Sequence, residues 1–333
     1  MNRPRCARLF AAAATTVSIA LLAGCGSGSH RTSSSSSLSV TTPTTPVATT
    51  TLPGSNKPPV TIGDKNFTEQ FILGALYKQA LVAQGYDVVI NQNIGPTSVT
   101  FQALQSGRLS MYPEYLSTWN SAVAGDTRHY QTAASAYRAG QRFALAHGLT
   151  LLRPTPFSDV NTIAVTVAYA TQNKLQSIAD LGNVQATLAL GAPVQFQQSP
   201  DGLPILQQAY GVVPATFKAL DVGAQYPALD NGSVQAADVN TTDGQLRDDG
   251  YRLLSDPKHV FGWGNVVPVV PLKVLAAEGP VFARTIDAVS GLLSTDVIRQ
   301  LNADVDVAHQ DPTAVATRFL EDHGLIAPPP ATS

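Results

Sequence analysis

Four positions in this chain set a polar or aromatic side chain near the end of an apolar run: Lys65, Tyr115, Thr118 and Asn240. Open α/β sheets hold small molecules outside the carboxyl ends of their strands, which makes these four candidate contacts. The Lys65 ammonium can pair with an anionic group, and so can the free N–H groups of a helix that starts after Asn66. Tyr115 offers an aromatic face and a hydroxyl, Thr118 a hydroxyl, and Asn240 an amide that both donates and accepts. Two readings stay open for the first two. Lys65 is either a solvated surface cation or an anion contact, and Tyr115 either a packed rim ring or a binding wall.

Catalytic and metal-binding patterns are absent from the sequence. His30, His129, His147, His259, His309 and His323 are scattered, with no HExxH and no cysteine partner, so the usual ligand spacings are missing. There is no GxSxG elbow, no Walker loop and no GxGxxG between a strand and a helix. Carboxylates are plentiful, yet no pair stands out at a strand end within an apolar frame. A site can be assembled from distant residues, but the expectation is a protein without catalysis, metal or cofactor.

The elements that must position these residues read as alternating short apolar strands and amphipathic helices between about Pro59 and Ile326, an α/β pattern. Val60, Thr61 and Ile62 open a strand. The capping-box spacing of Asn66 and Glu69 predicts a helix from there to about Gln84, with Gly85 just past its end. Strands are expected at 87–90 and 109–112, the latter ending at Pro113-Glu114-Tyr115, with helices at 98–106 and 130–147. A second, similar set begins near Asn161, with strands at 162–167, 187–190 and 234–239 and a helix at 204–210. A strand at 266–270 follows, and Asp311-Pro312 should cap a terminal helix that Gly324 closes. Two sets alike in kind suggest two α/β lobes.

Of 333 residues, 44% are hydrophobic and 13% charged, enough for a substantial core and too apolar for a disordered chain. Arg3, Arg5 and Arg8 precede an apolar stretch at 9–23 of signal-peptide length, too short to span ~30 Å of hydrocarbon. It ends in Leu22-Ala23-Gly24-Cys25, which resembles the lipobox of bacterial lipoproteins. That resemblance implies cleavage after residue 24 and a diacylglycerol on Cys25. Removing the three leader arginines from 21 basic residues leaves 18 against 23 acidic ones, a mature charge of −5. No basic run interleaves with aromatics, so nucleic acid is not an expected partner. Cys6 would leave with the leader, so no thiol remains to pair. Residues 25–59 are rich in Ser, Thr and Pro and read as a flexible tether, and 327–333 as a disordered tail.

The segments 63–70 (GDKNFTEQ) and 113–118 (PEYLST) resemble two blocks of the glycine betaine, choline and related quaternary-amine binding proteins of ABC importers. Pro200-Asp201-Gly202-Leu203-Pro204 and Asn240-Thr241-Thr242-Asp243-Gly244 match two further blocks, in the same order, so the resemblance covers about 60–326. It implies a two-lobe, periplasmic-binding-protein-like type II fold with two crossover segments. Lobe I would comprise 60–158 plus 265–326, and lobe II 159–264 including the crossovers. It also implies a monomeric, lipid-anchored receptor on the outer face of the cytoplasmic membrane. Such a receptor closes on an osmoprotectant-type solute and delivers it to a permease and, through it, to an ATPase.

Members of the family hold a trimethylammonium head in a box of aromatic rings and, for betaines, add a Lys and an Arg for the carboxylate. By resemblance Tyr115, Thr118 and Lys65 are retained. Asn161 and Asn240 stand where two box tyrosines are expected, Gly264 beside Trp263 where a third is, and Ser199 where the Arg is. The expected ligand contacts are therefore Lys65, Asn66, Tyr115, Thr118, Asn161, Asn240 and Trp263, with Gln195 and Ser199 from the second lobe. A depleted box leaves open a neutral or zwitterionic polar solute, a different cage of Trp263, Phe261, Tyr115 and Tyr226, or a sensing receptor without a transporter.

Overall fold

The computed structural model describes residues 51–328. Cys25, the leader, most of the tether and the last five residues lie outside the described residues. Within them the chain runs β1 (Val60–Gly63), α1 (Thr68–Ala83), β2 (Val88–Asn91), α2 (Thr97–Gln105), β3 (Tyr112–Tyr115), α3 (Leu116–Thr118), α4 (Ala133–Ala146) and β4 (Leu149–Leu151). It continues with β5 (Asn161–Thr166), α5 (Val167–Asn173), β6 (Ala189–Ala192), α6 (Leu203–Tyr210), β7 (Thr216–Ala219), α7 (Gln225–Asp230), β8 (Ala236–Asn240) and β9 (Tyr251–Leu253). The C-terminal part is β10 (Val266–Pro271), α8 (Leu272–Glu278), α9 (Pro280–Leu292), α10 (Thr295–Asp306) and α11 (Pro312–Asp322).

The strands separate by sequence into two groups. A five-stranded sheet, β7-β6-β8-β5-β9, is built wholly from the middle of the chain, and its faces bury two apolar clusters. A parallel β1-β2 pair and an antiparallel β3-β10-β4 sheet come from the flanking segments, with cores packed under α1, α9, α10 and α11 and around α2 and α4. The chain therefore passes twice between the groups, and the two passages run side by side. Asp159 N–H donates to the Gly264 carbonyl at 3.0 Å and Gly264 N–H to Ser158 Oγ at 2.8 Å. They lie so close that a Cβ on Gly264 would fall onto the Asp159 carbonyl oxygen. Position 264 therefore admits no side chain, and a box tyrosine cannot occupy it.

Several boundaries differ from expectation for identifiable reasons. The strand expected at 109–112 is instead Tyr112–Tyr115, with Pro113 inside it, because β3 is an edge strand and proline lacks only a donor that an edge does not need. The Asn66–Glu69 capping box does not form: Phe67 is the N-cap residue of α1, without a side-chain cap, and Asn66 is exposed. Glu69 turns into the interior instead. The expected tether also ends earlier than Pro59. Residues 53–56 form a turn against the end of α1, where Gly54 N–H donates to Gln84 O at 2.8 Å, and Lys57 Nζ donates to Ala277 O at 2.9 Å. The cap at Asp311 is as read: its carboxylate accepts from Ala314 N–H at 3.0 Å with Pro312 first in the helix, and Gly324 takes a positive φ.

Candidate functional site

A cleft of about 460 Å³ opens where α1, the first passage, β8 and α10 meet. One wall carries Phe67, Thr68 and Glu69 from the start of α1 and Asn302 and Asp306 from α10. The facing wall carries Asn161 of β5, Asp238 and Asn240 of β8, Thr242 and Asp243 of the following turn, and Tyr226 of α7. Strand geometry explains this second wall. Asn161 stands opposite Asn240 in the antiparallel β5-β8 pair, and Asp238 lies two residues from Asn240 on the same face.

The two walls meet through hydrogen bonds at the cleft floor. Asn302 Nδ2 donates to Glu69 Oε2 at 3.0 Å and to the Thr242 carbonyl at 2.8 Å, which ties α1 and α10 to the turn after β8. Arg299 Nε donates to the Thr241 carbonyl at 2.8 Å. The approach is backbone-close: a Cβ on Gly244 would lie 2.5 Å from Ala303 Cα. Tyr226 Oη and Asn240 N–H both donate to Asp243 Oδ2, at 2.8 and 3.1 Å.

Carboxylates dominate the lining. Glu69, Asp159, Asp238, Asp243 and Asp306 face the cleft, and no Lys, Arg or His does so among the described residues. Burial pushes the Glu69 carboxyl up, partly offset by hydrogen bonds from Asn302 and Tyr115. Asp159 is pushed well up by burial and by Glu69 beside it, and Asp238 rises to about 8, by burial and then by Asp243 and Asp201. Burial also raises Asp243, against the lowering effect of the Tyr226 hydroxyl. The sequence showed no such pair because these residues come from four separated segments. The one local signal was Asp238, a lone acid within the otherwise apolar run Ala236-Ala237-Asp238-Val239.

The residues singled out in the sequence divide into two sets. Asn161 and Asn240 face each other on the cleft wall. Lys65, Tyr115, Thr118, Gln195, Ser199, Trp263 and Asn66 are not part of the lining. Lys65 is buried and spends its charge internally: Nζ donates to Glu114 Oε1 at 2.5 Å and to Thr97 Oγ1 at 2.9 Å. Glu114 accepts in turn from Tyr115 N–H at 2.8 Å. Tyr115 Oη donates to Glu69 Oε1 at 2.8 Å, and its ring lies 5.9 Å from the Phe67 ring and 5.6 Å from Lys65 Nζ. Tyr115 thus stands one layer behind the lining, holding Glu69.

Trp263 packs away from the cleft, its Nε1 donating to the Tyr130 carbonyl at 2.7 Å beside His259. Gln195 is exposed on a 3₁₀ turn, and the Ser199 hydroxyl donates to Asp201. Phe67, Glu69, Asp159, Asp238 and Asn302 reach the cleft without having been expected there. Phe67 is 39% exposed despite its size, an apolar ring left at the cleft edge.

The family described as the substrate binding domain of ABC-type glycine betaine transport systems (OpuAC) matches residues 58–322. The chain belongs to this family. It is 34% identical over 276 residues to the glycine-betaine-binding protein of Pseudomonas aeruginosa, covering 80% of this chain and 88% of that one. It is 32% identical over 292 residues to the glycine betaine-binding protein YehZ of Escherichia coli, covering 84% and 95%. The structure of apo YehZ superposes with a TM-score of 0.68 over 80% of this chain and 99% of that one. A glycine betaine/carnitine/choline ABC transporter structure, 22% identical, reaches 0.74 over the same shares. Members of the OpuAC family are substrate-binding proteins with the two-lobe type II architecture, and the topology described above is that architecture.

Proposed function

We propose that this chain is the extracytoplasmic receptor of an ABC importer for an osmoprotectant-type amine, capturing its solute without a covalent step. The observation that carries the reading is the single-sign cleft between the two sheet groups, walled by Asn161, Asn240 and Asp238 on one side and Glu69 and Phe67 on the other. Acids whose ionisation burial disfavours ionise more readily beside a cation, so a cleft lined by them favours an ammonium head. Phe67 and Tyr226 supply aromatic contact, worth roughly 0.5–2 kcal/mol each to a desolvated cation. Family membership and the named relatives favour an importer over a sensing role.

In this reading 60–158 and 265–326 form one lobe and 159–264 the other, hinged at the paired passages. Closing the lobes buries the solute and presents the closed form to the permease. Asn161 and Asn240 contact the solute directly. Lys65, Glu114 and Tyr115 hold Glu69 and the start of α1 in place. The mature protein is a monomer held to the membrane by a diacylglycerol on Cys25. No helix among the described residues is long and apolar enough to cross a membrane.

Thermal denaturation with choline, glycine betaine and carnitine tests the capture. A ligand that binds only the folded form stabilises it by mass action, by ~2.7 kcal/mol at a hundred times its Kd, and so raises the melting temperature. At least one of the three should produce that rise, and an unmoved midpoint with all three would refute the reading.

A further inference from the structure

The two halves of the chain touch at more than their covalent passages. Thr241, just past β8, is fixed to the first passage. Its N–H donates to the Val160 carbonyl at 3.0 Å, its Oγ1 accepts from Val160 N–H at 3.1 Å, and its hydroxyl donates to the Ser158 carbonyl at 2.7 Å. From there the turn runs onto α10. Arg299 Nε donates to the Thr241 carbonyl and Asn302 Nδ2 to the Thr242 carbonyl, both at 2.8 Å. Next along the turn, Gly244 is pressed on the α10 backbone, since a Cβ there would lie 2.5 Å from both the nitrogen and the Cα of Ala303. Thr242 and Asn302 are buried at this contact.

Two places of attachment define an axis. Halves joined only at the side-by-side passages could swing or twist in several directions, whereas a further attachment along the turn leaves rotation about the line through both. Displacement grows with distance from that line, so groups on it keep their partners while the cleft rim moves. The chemistry at α10 suits a joint that stays made. Its donors are side chains able to adjust, its acceptors are main-chain carbonyls, and a glycine lets the two backbones lie close. Asn302 has the two N–H donors the place requires, one for the Thr242 carbonyl and one for Glu69 Oε2 at 3.0 Å, so it joins the turn to α1 as well. An aspartate there would set a carboxylate against two acceptors.

We propose that Arg299 and Asn302 are positioning residues for capture: with the 241–244 turn they form a third, non-covalent joint of the hinge, on which the halves turn without parting. Asn240 stands one residue before this joint and Glu69 is held by Asn302, so the joint sets the path by which the two walls approach each other. The inference rests on the two-lobe reading above and not on the identity of the solute.

Hydrogen–deuterium exchange of the full chain, read by mass spectrometry with and without glycine betaine or choline, tests it. Without solute the amides of 241–247 and 299–303 should already be protected, and neither amine should change them. The rim segments 67–70 and 222–226 should exchange more slowly once an amine is bound. Protection at 241–247 that appears only with an amine would overturn the joint and make the contact a latch of the closed form. In the solute-free double variant Arg299→Met with Asn302→Leu, exchange should speed about tenfold at 241–247 and also at the passages, 158–160 and 264–266, because two hydrogen bonds to carbonyls are lost. Faster exchange confined to α10 would mean that the two residues only hold their own helix, and would overturn the inference. Rim segments unmoved by both amines, with the passages loosened in the variant, would count against the receptor reading and leave the joint standing. The comparison on the unaltered protein stands whether or not the variant folds.

Discussion

Two groups of polar side chains about the cleft stand in opposite conditions. Behind the α1 wall, Lys65, Thr97, Glu114, Tyr115 and Glu69 are joined by hydrogen bonds into a chain that uses up nearly every donor and acceptor. On the β8 wall, Asp238 is just as deeply buried but keeps an oxygen without a partner. A network closed on itself holds structure, whereas one left open is ready for a ligand. Lys65 and Glu69 of GDKNFTEQ and Glu114 and Tyr115 of PEYLST, two segments that carry the family resemblance, belong to the closed network. Asp238, Asn161 and Asn240, which line the cleft, stand outside it.

The sharpest way to break this contrast is to open the closed side. Lys65→Ala leaves Glu114, which is fully buried, as an uncompensated charge. Removing one partner of a buried pair costs roughly 3–5 kcal/mol, and at roughly 2–4 °C per kcal/mol the melting temperature should fall by about 10 °C in differential scanning calorimetry. A change under about 2 °C would mean that Lys65 is not structural.

A second effect should come from the open side through pH. Glu69, Asp159, Asp238 and Asp243 all have folded pKa values above those of the unfolded chain. For a raised acid the unfolded state releases its proton first, so stability is greatest below the unfolded value and declines as pH rises through the folded one. For Asp238 that window runs from about 4, the ordinary Asp value, to about 8. The melting temperature of the solute-free protein should therefore fall between pH 5 and pH 8.5, and Asp238→Asn should flatten part of that slope. A stability that rises over the same interval would contradict the burial of these acids.

Much of the fold was legible in the sequence because local signals and tertiary structure agreed. Asp311-Pro312 capped its helix, Gly85 and Gly324 followed the ends of theirs, and two sets of strand-helix units became two groups of sheets. The reading failed where tertiary contacts overrode a local pattern. Glu69 had capping-box spacing but was drawn inward by Tyr115 and Asn302. Strands as short as Leu149–Leu151 and Tyr251–Leu253 hold too few residues to show a period. In the site, Asn240 could be found because it stands at a strand end, and Asn161 through the family resemblance. The acidic cluster could not, since Glu69, Asp159, Asp238 and Asn302 meet only once the chain has crossed twice between its halves. Nor does any local feature of Trp263 foretell that its indole N–H serves the Tyr130 carbonyl.

In the proposed receptor the solute meets the cleft lining, and the Lys65–Glu114 pair behind it makes no contact with the solute. Choline titrated into the unaltered protein, into Asp238→Asn, and into the double variant Lys65→Met with Glu114→Gln decides it. Replacing a buried pair as a unit is often near neutral for folding, so the double variant keeps the wall while removing its charges. The account predicts affinity within about threefold of the unaltered protein for the double variant and a loss of tenfold or more for Asp238→Asn. The reverse order, with Asp238→Asn binding normally and the double variant losing the solute, would contradict it.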